Sequence, residues 1–157
     1  NVRHLREIIM FGIFKKKQTR ANRIDERSHE ILARAAAMVE MQLVLCKSQP
    51  EFEQKFLGDF VRGYLVGFFD AAIQHANVPA HSDQEFFQLI AVGHTYLFSG
   101  DTNKAENFAL GSMGRQGSAS FDAAQVQGGE EYFAFLQGNI RSPNGLERYF
   151  FSDATSA

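Results

Sequence analysis

The sequence has no tryptophan, a single cysteine and only three prolines among 157 residues. One cysteine, Cys46, excludes an intramolecular disulfide framework and fits a reducing compartment, so a cytoplasmic location is expected. Proline stands only at positions 50, 79 and 143, leaving long stretches free to run as uninterrupted helix. There is no sustained alternation of apolar and polar residues, which argues against strands. No apolar run approaches the ~20 residues that a bilayer-spanning helix needs, so no transmembrane segment is expected. Hydrophobic content of 45% and charged content of 22% exclude wholesale disorder.

What is abundant is phenylalanine. Sixteen are present, with adjacent pairs at Phe68-Phe69, Phe86-Phe87 and Phe150-Phe151. Neighbours on a helix point about 100° apart, so each pair widens an apolar face and predicts helices buried on more than one side. The rings either fill a core or line a pocket for an apolar ligand. Tyr64, Phe68, Phe86, Phe87 and Tyr96 are the residues expected to line such a pocket.

Helical periodicity is clearest from Arg23 to Lys47, where Ile24, Ile31, Ala35, Met38, Met41 and Leu45 recur at helical spacing. Thr19 or Asn22 is expected to cap this helix. Pro50 then opens a second helix, expected as one element from Glu51 to Asn77, with Val78-Pro79 ending it. Ser82-Asp83-Gln84-Glu85 has the form of a capping box and predicts a third helix from Asp83 to Ser99-Gly100. Asp101 is expected to cap a fourth helix through Leu110, which loosens at Gly111, Gly114 and Gly117. A fifth is expected from Phe121 to Gln137, interrupted or delayed by Gly128-Gly129, with the acids of Glu130-Glu131 at the start of its second half. Ser142-Pro143-Asn144-Gly145 signals a turn before LERYFF, read as either a short hairpin or a docked last turn.

The reading is all-α: a single-domain antiparallel bundle of about five helices with a basic N-terminal arm or helix. Its parts are a basic amphipathic segment over 1–20, a helical domain over 21–140, and a C-terminal turn and tail over 141–157. One window resembles a tetratricopeptide hairpin. Starting at Phe86, residues Leu89, Val92, Gly93, Tyr96 and Ala105 fall at that family's signature positions, and Gly100 falls in its turn. Leu89 replaces the usual tryptophan, and no second copy stands one period before or after. The resemblance implies an antiparallel helix pair and assigns no family.

The segment GDFVRGYLVGFFDAAIQHA, residues 58–76, is apolar enough to suggest half a membrane span. Its charges, Asp59, Arg62 and Asp70, reject that, since each costs about 2.5–3.5 kcal/mol at a bilayer centre. A polar stripe containing Lys55, Asp59, Arg62, Asp70, Gln74 and Asn77 lies opposite Leu57, Val61, Tyr64, Phe68 and Ala72. Between the two faces Gly63, Gly67 and Ala71 stand at i, i+4 and i+8. Each glycine costs about 1 kcal/mol of helix propensity relative to alanine. The compensation is close approach of a second backbone, either from another helix of the chain or from a second copy.

Few groups point to chemistry. Glu26-x-x-His29 is half of a di-iron carboxylate pattern, and no second copy of it exists in the chain. His75, His81 and Asp83 fit no rigid ligand pair, so no metal or cofactor is expected. Leu110-Gly111-Ser112-Met113-Gly114 misses the nucleophile-elbow spacing, the glycine loop 111–117 lacks the lysine of a phosphate-binding loop, and Cys46 lies in an apolar helical run. No catalytic residue is singled out, and the chain is read as leaning away from an enzyme.

Charge is uneven. Residues 1–34 carry nine Lys or Arg against four acids, and the rest seven against fourteen. Ile8 to Phe14 followed by Lys15, Lys16 and Lys17 forms a segment suited to an anionic surface or to docking on the acidic body. Met10 is a candidate native start. The expected function is therefore binding: a small soluble helical interaction protein, with a protein partner or self-association as a possible homodimer. The alternatives are an apolar small ligand in a Phe-lined pocket, and nucleic acid or an anionic membrane at Lys15, Lys16 and Lys17.

Overall fold

A computed structural model describes residues 24–152, and Asp25 caps the first helix among them. The Asp25 carboxylate accepts the Ser28 N–H at 2.8 Å and opens α1, Glu26–Cys46. Thr19, Asn22 and the basic arm with Lys15, Lys16 and Lys17 lie outside the described residues. Leu32, Ala35, Ala36, Val39, Leu43 and Cys46 form the buried face of α1. Their spacing by three, four and seven places them on one side of the cylinder.

The single helix expected over 51–77 is two helices. The short α2, Phe52–Phe56, is separated from α3, Asp59–His75, by Leu57 and an extended Gly58 with φ −76° and ψ 168°. The break lets α2 turn its rings inward: Phe52 stacks on Phe150 at 5.1 Å, and Phe56 lies 5.4 Å from Phe108. It also moves Leu57 off the buried face on which an unbroken helix would set it. Leu57 is half exposed, and its carbonyl accepts the Arg62 Nε–H at 2.8 Å.

Helix α3 is the axis of the fold. Val61, Tyr64, Leu65, Val66, Phe68, Phe69 and Ala72 are fully enclosed, because α6 lies along the helix and the other helices close around the rest of it, α7 through Tyr149 stacked on Phe60. Each of the larger aliphatic and Phe side chains contributes about 1.5–3 kcal/mol on burial.

Ser82 Oγ accepts the Glu85 N–H at 3.2 Å and starts α4, Asp83–Leu97. The Glu85 carboxylate reaches back to the His81 N–H at 2.7 Å, one residue before the position that a reciprocal capping box uses. Ser99 and Gly100 then take positive φ, 56° and 88°, and reverse the chain. Asp101 caps α5, Thr102–Met113, through the Lys104 N–H. Helix α6, Ala119–Leu136, runs unbroken through Gly128-Gly129. Of the two readings of the tail, the helical one holds: α7, Gly145–Phe151, docks with Leu146 and Phe150 buried.

The described residues therefore hold seven helices where about five are expected, and no strand. The two additions are the split at Gly58 and the folded tail. No described helix is long and apolar enough to cross a membrane. The pair α4–α5 lies where the hairpin-like window falls. Gly93, at that window's glycine position, faces α3: a Cβ there would meet the Phe69 ring at 2.8 Å.

Candidate functional site

The glycines of α3 lie against α6 of the same chain. A Cβ on Gly63 would collide with the Phe121 carbonyl oxygen and stand 3.1 Å from the Ala124 Cβ; one on Gly67 would fall inside the Gln125 carbonyl oxygen. The fit is reciprocal, since a Cβ on Gly128 of α6 would strike the Tyr64 carbonyl oxygen. Ala71 is buried at the end of the same line, next to Gly129. Backbone meets backbone along this seam, so its small residues are occupied inside the fold and present no face to a second molecule.

The rings named as pocket-lining in the sequence lie apart. Tyr64 and Phe68 are stacked at 5.8 Å within the solid core. Phe86 and Phe87 pack partly buried at the start of α4, and Tyr96 is 41% exposed with its hydroxyl 3.0 Å from His29 Nδ1.

Tyr64 instead anchors a buried polar network. Its hydroxyl makes a short hydrogen bond to Glu131 Oε2 and accepts the Gln42 Nε2–H at 3.1 Å. Glu131 also accepts the backbone N–H of Gly145 at 2.9 Å and of Asn144 at 3.1 Å, while Gln42 Oε1 accepts that of Leu146 at 3.0 Å. The free N–H groups that begin α7 are thus capped by side chains from α1 and α6. Gly145 permits the approach, because a Cβ there would lie 2.6 Å from Glu131 Oε2. Burial and the neighbouring carboxylate hold the Tyr64 phenol well above its usual range. In the sequence Glu131 reads as a first-turn acid of its own helix; in the unbroken α6 it serves the start of another.

His94 is the second buried polar group. Its Nδ1–H donates to the Ile90 carbonyl at 2.8 Å, and Nε2 has no partner. Phe69 and Phe108 each stand 5.2 Å from its ring. This apolar cage, with Arg62 nearby, pushes its pKa down to about 4. An unfolded histidine takes its proton near 6.5. The folded state therefore binds fewer protons between those values, and the contribution present above pH 6.5 is lost as pH falls through 4. The loss is about 3 kcal/mol. Urea unfolding at pH 7 and at pH 4.5 tests this: His94→Leu is expected to lose about 2–3 kcal/mol less than wild type between the two.

Among the described residues no group of His, Cys, Asp and Glu could hold a metal ion. Cys46 is enclosed, its thiol donates to the Gln42 carbonyl at 3.1 Å, and burial pushes its pKa up. It lacks the exposed electropositive setting of a reactive thiol.

The outer face of α1 is open to solvent. Met41, Val44 and Leu45 are 76%, 59% and 62% exposed, on the side of the helix opposite Leu32, Val39 and Leu43. Beside them a cleft of about 370 Å³ opens between α1, α2 and the end of α4. Leu43, Phe52, Phe56, Leu97 and Phe98 form its apolar walls, and Glu40 and Lys47 stand on the α1 side of its rim. The Lys104 ammonium lies over the Phe98 ring at 4.9 Å. Met41 and Leu45 share helical spacing with Ile31 and Met38, yet the packed line of α1 runs one position away through Val39, Leu43 and Cys46. Comparison of the chain with protein-family models, with curated proteins and with solved structures gives no match.

Proposed function

We propose that this chain is a protein-interaction module whose binding surface is the outer face of α1 together with the adjoining cleft. The observation that carries the reading is the exposure of Met41, Val44 and Leu45 on a helix whose other face is fully packed. Three large apolar side chains within two turns form a contiguous patch, and such patches mark interaction sites. The patch does not serve the fold: the core of α1 is already closed by Leu32, Val39, Leu43 and Cys46. The cleft beside it suits an apolar side chain of the partner, while Glu40 and Lys47 supply a polar rim.

A photo-reactive benzoylphenylalanine at Val44, installed in the producing cells, tests this reading. Irradiation is expected to give discrete adducts that the same group at the exposed Glu106 does not. Equal, diffuse labelling at both positions would contradict it.

A second reading, an apolar small ligand in the cleft, is supported by the ring-lined walls and by a volume within the usual range of ligand sites. Native mass spectrometry of the purified protein decides it, through the presence or absence of a bound small molecule. The arm bearing Lys15, Lys16 and Lys17 lies outside the described residues, so nucleic acid and anionic membranes rest on its sequence alone.

A further inference from the structure

We propose that the partner of the α1 face is a second copy of the same chain, with the two α1 helices packed antiparallel; this rests on the reading of that face as the interaction surface. The face carries its own complement. Ala37, Met41 and Val44 are exposed on α1 at four–three spacing, the seam of a coiled coil, and the exposed Ser48 continues the line in the turn just past the helix end. Glu40 and Lys47, also exposed and seven residues apart, run along one flank of that seam. Neither has an ion-pair partner among the described residues. Met38 and Leu45 run along the other flank, Met38 partly buried and Leu45 open.

A two-fold axis passing between Gln42 and Leu43 satisfies every one of these positions. It sets Met41 against the partner's Val44 and Ala37 against the partner's Ser48 along the seam. On one flank Glu40 meets the partner's Lys47, and by symmetry Lys47 meets the partner's Glu40. On the other flank Met38 meets the partner's Leu45. Parallel pairing would instead set Glu40 beside the partner's Leu45 and leave both charges unmatched. The small Ala37 on the helix, facing the partner's Ser48 in the turn beyond its end, allows the helices to approach closely. An isologous interface of this kind requires the same patch to complement itself, and the placement of Glu40 and Lys47 about the axis meets that requirement in charge.

A single helix pair buries less than the roughly 800 Å² per partner of a standard interface. The dimer is therefore reversible and depends on concentration. Sedimentation velocity is expected to show conversion from monomer to dimer up to about 100 μM, enough to saturate a micromolar complex. Glu40→Lys and Lys47→Glu, both at exposed positions, are each expected to weaken it about tenfold, since each removes two ion pairs and adds like-charge contacts. The double reversal Glu40→Lys/Lys47→Glu is expected to restore it. Restoration distinguishes a paired contact from general damage to the surface. A monomer at every concentration, or a double variant as weak as the singles, would overturn the proposal. Discrete adducts of Val44 to a different protein, with the chain itself monomeric, would also overturn it while leaving the α1 face as an interaction surface.

Discussion

Gly67→Ala is expected to lower the free energy of unfolding by about 4 kcal/mol, at the upper end for a single methyl group. The added Cβ would occupy the place of the Gln125 carbonyl oxygen, which belongs to backbone and cannot rotate away. Helix α6 would have to lift from α3, and the lift would spread to Gly63 against Phe121 and to Gly128 against Tyr64, since the three contacts form one seam. Tyr64, Phe68 and Phe121, all fully enclosed, would lose packing as it opened. Gly129→Ala is the matched control. Its Cβ would stand 3.4 Å from the Gly67 carbonyl oxygen and 3.9 Å from the Ala71 Cβ. There the gain in helix propensity, about 1 kcal/mol, offsets a small adjustment. Urea unfolding followed by circular dichroism separates the two variants: a midpoint for Gly67→Ala close to that of Gly129→Ala would show that α6 does not lie tightly on the glycines.

Glu131→Ala is expected to cost about 3–5 kcal/mol, because it strips a buried carboxylate from several donors at once. The Tyr64 hydroxyl would lose its acceptor, and the N–H groups of Asn144 and Gly145 would be left without theirs at the start of α7. Leu146 would keep its bond to Gln42, so the damage falls on the junction between α6 and α7. Tyr64→Phe is the milder test, at about 1–2 kcal/mol, since Glu131 retains both backbone donors. Because α7 holds Phe150 on Phe52 and Tyr149 on Phe60 at 4.2 Å, its loosening would bare those rings. Limited proteolysis should therefore cut Glu131→Ala between α6 and α7 faster than wild type, and Tyr64→Phe at an intermediate rate.

Local signals in the sequence correspond closely to local structure. Ser82 and Asp101 each accept the N–H three residues on, as short polar residues ahead of an apolar run do. The line of Gly63, Gly67 and Ala71 is visible from spacing alone, whereas the identity of the helix laid along it is not. Gly128 and Gly129 look like breakers in α6 because propensity penalises them, yet Gly128 is where the Tyr64 carbonyl needs room. Tertiary packing outweighs about 1 kcal/mol of propensity. Gly58 breaks its helix for a reason that only the finished core supplies, the need to turn Phe52 and Phe56 toward Phe150 and Phe108.

Glu131, Gln42 and His94 were hidden for a different reason. Their partners are 14, 104 and 4 residues away, and a charged or amide side chain in a helix carries no mark of which way it faces. The outer face of α1 was hidden by a shift of one position. Met41 and Leu45 keep helical spacing with Met38, as core residues would, and only the packed line through Val39, Leu43 and Cys46 shows that they point outward.

That outward face is the centre of the functional account, and the stability of Met41→Gln/Leu45→Gln tests it most directly. Measured in protein dilute enough to be monomeric, the double variant is expected to unfold within about 0.5 kcal/mol of wild type, as surface substitutions do. A loss approaching that of Gly67→Ala would mean that these side chains hold the fold together, and would contradict their assignment to a partner.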